Sequence, residues 1–328
     1  MADDEENAAE DEQPPEEEPE EPQGEQPAEI EDEQEEDEID LNSWDCTNIA
    51  ENGKQPICFH YDERWQDDIH LYEPYEVEQA LPTDYANCLA VQAYLKMCKL
   101  NFTVEMRGNA EFMSPSGQVP FIKCGSFVVS ELDPIVAFFA HKDVSLSNSL
   151  SDKEKGDMRA YMSLVNNVLT NAEQYVLWNI PEVLNSVTKT RYGSVYPWPL
   201  DFFMCLRKRW QCMSRLRVYG WWCKSQADVY EDVEKCCNSL ASRLGEGPYF
   251  FGGKPTELDA LVFGHVYTLL STPLPDNRLA SIVHNFPQLT KLSDRIEKEY
   301  FANSLSNSPS NAPEPVPDEE AEVVEDEE

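Results

Sequence analysis

Two observations predict an α+β fold, in which a small strand-containing unit precedes a set of helices. Between residues 69 and 139, short apolar strand-like segments alternate with helix-like segments and turn signals. Beyond residue 142 the strand signals stop, and apolar residues recur at helical spacing between prolines. The predicted chain is therefore a mixed α/β unit followed by an all-helical one.

The first segments predict two parallel strands joined by a helix. Residues 69–72 are typical of a short strand, residues 86–100 of a helix with a broad apolar face, and residues 102–106 of a second strand. Parallel strands need a crossover connection, which is usually a helix. This order therefore favours a parallel pair.

The next segments predict a hairpin and a second helix. The polar residues 109–117 contain Ser-Pro-Ser-Gly and are predicted to form a loop. Strands at 119–123 and 127–130 flank Gly125. A helix is predicted to open at 133–134, because the missing N–H of proline costs nothing in a first helical turn. The whole unit is predicted as βαββα.

The second unit consists of helices that prolines separate. Their apolar residues recur with the period of an α-helix. The predicted helices span residues 153–179, 200–224, 227–243, 257–271 and 288–301.

The formal net charge of −38 is concentrated at the two ends of the chain. Residues 1–40 hold 22 Asp or Glu and residues 311–328 hold 9, without a Lys or Arg, so the rest carries −7. With few bulky apolar side chains, the ends at 1–42 and 303–328 are predicted to be disordered. They are either arms for basic partners or self-repelling spacers that keep the chain soluble. This sign of charge argues against nucleic-acid binding.

Between the ends we predict a linker or arm at 43–66, a strand-containing domain at 67–143 and an all-helical domain at 150–302. The ten cysteines include no C-x-x-C pair and no apolar signal segment precedes them, which favours a reducing compartment. Cys236 and Cys237 lack a second pair or a histidine at zinc-ligand spacing, so no metal site is predicted. No apolar run approaches the length of a membrane span.

Val119 and Pro120 stand at the start of a predicted strand. This is the place where thioredoxin-like βαββα units keep a cis peptide, which is accessible only before proline. A cis bond would turn the N–H and C=O of Val119 outward to pair with an extended ligand. The alternative is an ordinary trans proline at a strand start.

Thr256 and Asp259 have the spacing of a helix capping box, and Pro255 blocks an earlier start of the helix. The helix that follows is apolar on nearly all sides and is therefore predicted to be central. A carboxylate in the first helical turn also interacts favourably with the helix dipole. Both residues are predicted to be structural.

The segment 249–265 resembles the capping segment and core helix of the glutathione transferase superfamily and, more narrowly, of the metaxin family. The resemblance covers residues 69–302 and implies a glutathione-transferase-like fold, with a thioredoxin-like domain and a C-terminal helical domain. Further similar segments lie at 89–95, 113–122, 161–167 and 191–200.

The resemblance implies a subunit at the cytosolic face of the mitochondrial outer membrane, for protein import and β-barrel sorting and assembly. The implied partners are metaxin-1 and the sorting and assembly machinery. Attachment is expected to be peripheral, because the chain ends in an acidic tail and not in a membrane helix. Two alternatives stay open, namely an active glutathione-dependent transferase and an adaptor that links mitochondria to motor proteins.

One difference from glutathione-binding transferases predicts that this chain has no catalytic or cofactor-binding residues. Transferases of this type place a Ser after a Glu or Gln where this chain has Glu131 and Leu132. Leucine donates no hydrogen bond, and a charged ligand group left unpaired loses about 1.5 to 3 kcal/mol. Candidate nucleophiles by residue type, none at the expected spacing, are Tyr75, Thr83, Tyr85 and Cys88. A remnant groove that binds no cofactor is predicted at Val119, Pro120, Glu131 and Leu132.

Residues 201–224 combine cations with aromatic side chains. This mixture suits an interface with anionic lipid headgroups or with an acidic partner. The alternative is a bundle helix with Phe203, Leu206 and Trp210 inside. The aromatic loop 191–200 either anchors a partner or fixes the joint between the domains. The predicted interface residues are Tyr196, Trp198, Arg207, Lys208, Arg209, Trp210, Arg217, Trp221 and Trp222.

Overall fold

The computed structural model describes residues 68–76 and 78–301, which belong to one compact unit. The predicted arm and tails at 1–42, 43–66 and 303–328 lie outside the described residues. The first part of the fold consists of β1 (Ile69–Glu73), α1 (Pro82–Met97), β2 (Phe102–Met106), α2 (Ala110–Met113), β3 (Phe121–Cys124), β4 (Phe127–Ser130) and α3 (Leu132–Ala140).

These strands form a four-stranded sheet in the order β2-β1-β3-β4. β1 runs parallel to β2, with Ile69 opposite Phe102, and β3 runs antiparallel to both β1 and β4. The predicted parallel pair and hairpin are therefore confirmed. The predicted βαββα order is incomplete, because the observed order is βαβαββα. The segment predicted as a loop contains α2, whose four residues are too few to show a helical period.

From α4 onward the described chain is helical. A π-helical turn at Leu184–Thr188 joins α5 to α6, and a 3₁₀ turn at Trp221–Cys223 follows α7. No helix of the described part is long and apolar enough to span a bilayer. The helices are α4 (Asp152–Asn179), α5 (Pro181–Val183), α6 (Lys189–Gly193), α7 (Leu200–Val218), α8 (Gln226–Leu244), α9 (Glu257–Ser271), α10 (Arg278–His284) and α11 (Pro287–Tyr300).

Local backbone chemistry explains where predicted and observed helices differ. α1 begins at Pro82 and not at residue 86, since the fixed φ of proline suits a first helical position. The predicted helix 200–224 stops at Val218 because Gly220 adopts a φ of 73°, which an α-helix does not accommodate. The short helices α5, α6 and α10 were not predicted, whereas the bounds of α9 are confirmed.

Helices α1 and α9 form the centre of the molecule and are buried on nearly all sides. At Gly264 of α9, an added Cβ would lie 2.2 Å from the carbonyl oxygen of Ala86 and 2.9 Å from the amide nitrogen of Ala90. Only glycine lets the two backbones approach this closely. One core is thus shared between the sheet part and the helical part, and the domain limits at 67–143 and 150–302 stay predictions.

Candidate functional site

A cleft of about 420 Å³ lies between the start of α1, the α2–β3 region, α4 and α7. Its walls therefore come from both the sheet part and the helical part. Apolar side chains, such as Leu177 and Trp178 of α4, line part of it. The polar residues that matter for its chemistry are Thr83, Asp84, Glu111, Gln174, Lys208 and Arg215.

An ion pair across the cleft joins α7 to α2. Lys208 donates from Nζ to Oε1 of Glu111 over 2.8 Å, and the hydroxyl of Tyr192 donates to Oε2 over 3.0 Å. Burial by itself lowers the pKa of Lys208, but the charges of Asp84 and Glu111 raise it above its usual range. Lys208 is therefore charged, and the protein's own carboxylates neutralise it.

Asp84 in the first turn of α1 lies in the same electrostatic environment. Burial raises the pKa of Asp84 to about 6, although the Lys208 charge opposes that shift. Its carboxyl is therefore poised to change protonation near neutral pH. A group of this kind suits acid–base work, but it also arises in structural ion-pair clusters.

Three polar atoms of the cleft make no hydrogen bond with the described residues. They are Oγ1 of Thr83, Oε1 of Gln174 and Nε of Arg215. The Thr83 side chain belongs to a residue that is only 5% exposed. All three atoms are buried from solvent within side chains that line the cleft.

The predicted remnant groove lies beside this cleft. The Val119–Pro120 peptide is cis, and Glu131, with a φ of 69°, precedes Leu132 at the start of α3. The cleft lining reaches the neighbouring residue Gln118 but includes none of these four residues. The absence of cofactor binding at Val119, Pro120, Glu131 and Leu132 stays a prediction.

The thiols near the cleft are poor nucleophiles. Cys88 is buried in α1, and burial raises the pKa of its thiol well above the usual range. Cys212 lines the cleft, and burial raises the pKa of its thiol to about 12, against the lowering effect of Lys208. Because the thiolate is the reactive form, neither thiol is activated at neutral pH.

Helix α7 presents three different sides to its surroundings. Cys205, Cys212 and Leu216 are buried in the helical core. Arg207, Lys208, Gln211 and Arg215, together with Cys212, border the cleft. A third side, which we call the outer face, is exposed and consists of Phe202, Phe203, Leu206, Trp210 and Arg217.

The outer face contradicts the alternative in which α7 is an ordinary bundle helix. Phe203, Leu206 and Trp210 were the residues expected inside in that case, and all three are exposed. Trp210 is 72% exposed, and the ring of Phe202 packs edge-on against the ring of Phe203, with centroids 5.7 Å apart. The helix therefore carries apolar side chains on a buried side and on an exposed one.

The predicted interface set is corrected at two positions. Lys208 is 8% exposed because it pairs with Glu111, and Trp221 is 4% exposed because it packs into the core under Lys224. Neither can belong to an exposed surface. Arg207 is exposed but borders the cleft. Arg209, Trp210, Arg217 and Trp222 are exposed as expected of interface residues.

The aromatic loop before α7 divides between interior and surface. The ring of Tyr196 is half-buried and lies 6.0 Å from that of Tyr192, which itself is buried. Trp198, by contrast, is 86% exposed. Arg191 donates to the carbonyl oxygen of Ala80 over 3.3 Å, so the loop region also joins the helical part to the sheet part.

The predicted cap occupies the start of α9. The carboxylate of Asp259 accepts hydrogen bonds from the N–H of Thr256 (2.8 Å), from its hydroxyl (2.7 Å) and from the N–H of Phe250 (3.0 Å). Burial raises the pKa of Asp259 to about 6, while these hydrogen bonds lower it. The carboxylate thus ties the loop 249–256 to the central helix.

The two carboxylates of the cleft, Asp84 and Glu111, were not predicted from the sequence. Glu111 was placed in a polar loop, and it lies 97 residues from Lys208 along the chain. Asp84 lies outside the predicted helix 86–100 and belongs to no predicted motif. A single sequence gives no signal for contacts at such separations, so the cluster of Asp84, Glu111 and Lys208 became visible only in the folded chain.

Two family models match the chain. Residues 88–209 match the family described as outer mitochondrial membrane transport complex protein. Residues 233–296 match the C-terminal domain of glutathione S-transferase. Together with the observed topology, the second match confirms the predicted glutathione-transferase-like α+β fold.

A solved glutathione S-transferase from Ceriporiopsis subvermispora is 14% identical and aligns with a TM-score of 0.48. The alignment covers 70% of this chain and 96% of that one. At this distance the similarity says nothing about a ligand or a reaction.

Curated relatives align over 63–73% of the chain. Metaxin-2 of Homo sapiens is 48% identical over 239 residues, which are 73% of this chain and 91% of the human protein. The Metaxin-2 homolog of Caenorhabditis elegans is 42% identical over 63% of this chain and 90% of its own length. Metaxin-1 of Mus musculus is 28% identical over 67% of this chain and 72% of its own length. On this evidence, the chain belongs to the metaxin family.

Proposed function

We propose that this chain is a non-catalytic subunit at the cytosolic face of the mitochondrial outer membrane. It serves protein import and the sorting and assembly of β-barrel proteins, together with metaxin-1 and the sorting and assembly machinery. Support for the location comes from the match of residues 88–209 to the outer mitochondrial membrane transport family. Support for the pairing comes from the occurrence of several metaxins, among them Metaxin-1, among its relatives.

The ion pair between Lys208 and Glu111 carries the non-catalytic part of the proposal. It neutralises the buried lysine of the cleft with a carboxylate of the chain itself, which leaves Lys208 unavailable to an anionic substrate. The protonated thiol of Cys212 and the aliphatic side chain of Leu132 also support a non-catalytic role. The fold then acts as a rigid block that holds surfaces for other proteins.

Import into isolated mitochondria tests the proposal. Mitochondria depleted of this protein are given a radiolabelled β-barrel precursor, and its assembly is followed on native gels over time. We expect slower assembly without the protein and recovery when the full chain is supplied. Assembly at the normal rate in fully depleted mitochondria would contradict the proposal.

The transferase alternative has its own assay. The purified full chain is incubated with glutathione and an electrophilic aryl halide, and conjugate formation is followed by absorbance. We expect no turnover above the uncatalysed rate. Turnover that Cys212→Ser or Asp84→Asn abolishes would assign an enzyme activity to the cleft and overturn the non-catalytic part.

A further inference from the structure

The outer face of α7 is an apolar surface that the described chain leaves uncovered. Leu206 lies three and four residues after Phe203 and Phe202, Trp210 lies four after Leu206, and all four side chains are exposed. Such spacing places them along one side of the helix. Large contiguous apolar patches are rare on soluble proteins and mark sites of interaction.

More exposed apolar groups lie at both ends of this helix. Trp198 precedes its start, Val218 is its last residue and is 83% exposed, and Tyr219 and Trp222 follow its end. The guanidinium of Arg217 lies 5.4 Å from the ring centroid of Trp222. The aromatic rings and a cation therefore share one end of the outer face.

The charge around this face has one sign. Residues 202–227 contain 6 Lys or Arg and no Asp or Glu, in a chain that has 63 acidic residues and only 25 basic ones. Within residues 78–301, no carboxylate lies at ion-pair distance from Arg209 or Arg217. These two cations are therefore available to an external anion.

We propose that the outer face of α7 lies in the interface of an anionic lipid bilayer, with its aromatic side chains among the acyl chains and Arg209 and Arg217 at lipid phosphates. The inference rests on the proposed location of the protein at an outer membrane. Trp and Tyr favour the boundary between water and hydrocarbon, and basic side chains flanking an apolar face add attraction to anionic headgroups.

Charge complementarity selects the lipid surface as the occupant. The acidic chain as a whole is repelled by an anionic membrane, so only a segment free of carboxylates can approach it closely. The segment 202–227 fulfils this condition. Its aromatic side chains are exposed along one helix face, which suits insertion between mobile lipids. Binding of this face to a protein partner is the competing outcome.

Flotation of the full chain with vesicles tests the inference. Vesicles of phosphatidylcholine alone are compared with vesicles in which phosphatidylinositol replaces part of it. We expect flotation with the anionic vesicles and much less with the neutral ones. The variant Arg209→Gln/Arg217→Gln should bind the anionic vesicles about fivefold more weakly for each arginine removed. The variant Phe203→Ser/Trp210→Ser should lose binding to them.

Two matched controls test whether a change in net charge or the loss of exposed apolar side chains elsewhere on the protein also weakens vesicle binding. Lys291→Gln/Lys298→Gln makes the same change in net charge on the exposed side of α11. Met106→Ser/Val128→Ser removes two apolar side chains of the sheet that are each 42% exposed. Both should float like the parent. Thermal melts establish that every variant is folded.

Three results would overturn the inference. They are parental flotation of the folded Arg209→Gln/Arg217→Gln variant, equal binding of the parent to neutral vesicles, and no binding of the parent at all. The vesicles contain no protein, so such a failure leaves the import proposal standing. If the outer-face variants lose a protein from mitochondrial extracts while lipid binding is unchanged, the face belongs to that protein.

Discussion

Glu73 at the end of β1 is a carboxylic acid in the apolar interior. The residue is completely buried, and both of its oxygens accept from Nε2 of Gln92, at 3.0 and 2.8 Å. Burial raises the pKa of Glu73 to about 8, and the hydrogen bond from Gln92 only partly opposes this shift. Its neutral form is therefore the one that fits the fold near physiological pH.

The protonation of Glu73 predicts how stability depends on pH. Its folded-state pKa lies above the unfolded value, so its favourable contribution is complete below about pH 4.5 and is lost as pH rises towards about 8. Glu73→Gln should remove this loss, on the order of a few kcal/mol at the upper end of that window. Urea unfolding across the window measures it.

The exposed Glu231→Gln on α8 is the matched control, and it should keep the pH dependence of the parent. If the free energy of unfolding of Glu73→Gln falls with pH as steeply as that of the parent, the prediction is wrong. Ionisation of Glu73 would then not destabilise the fold.

The pair of helices α1 and α9 depends on one glycine. Gly264→Ala should separate the helices, because the new Cβ would meet the carbonyl oxygen of Ala86, a backbone atom that cannot rotate away. We expect a loss of about 3 kcal/mol or an unfolded chain. Thermal denaturation of the purified variant measures the effect.

Gly156 of α4 provides the matched control. A Cβ added there meets nothing within 4 Å, and the position lies inside a helix. Gly156→Ala should therefore stabilise the protein by up to about 1 kcal/mol. Equal tolerance of both substitutions would mean that the helices do not approach as closely as described.

Elements with strong local signals could be predicted from sequence. β2, β4 and α9 have the predicted bounds, because alternating or helical apolar patterns are bounded there by turn or capping residues. The short helices α2, α5 and α10 give no such pattern. The three different sides of α7 could not be predicted either. From the sequence alone Lys208 is expected at the surface, and only its ion pair with Glu111 explains why it is buried.

At the scale of the whole molecule, the ion pair of Lys208 and Glu111 holds the helical part against the sheet part. Glu111→Gln should leave the buried charge of Lys208 with Asp84 as its nearby carboxylate but without its ion-pair partner, and destabilise the protein by up to about 3 kcal/mol. The double variant Glu111→Gln/Lys208→Met should recover most of this loss, because the charge is then gone as well. A double-mutant cycle by chemical denaturation measures the coupling.

The coupling should be absent between Glu111 and the exposed Arg209, which serves as the control for a cation on the same helix. Independent effects of the Glu111 and Lys208 substitutions would contradict a pair that joins the two parts.

We expect the molecule to work through its surfaces and not through chemistry in the cleft. Thr83→Val/Gln174→Leu removes two of the unpartnered polar groups of the cleft, and their replacement by apolar groups of similar shape should leave the fold intact. The decisive measurement is the rate of β-barrel assembly in depleted mitochondria that are supplied with this variant. We predict the rate that the parent chain restores. A variant that melts like the parent but fails to restore assembly would contradict the account.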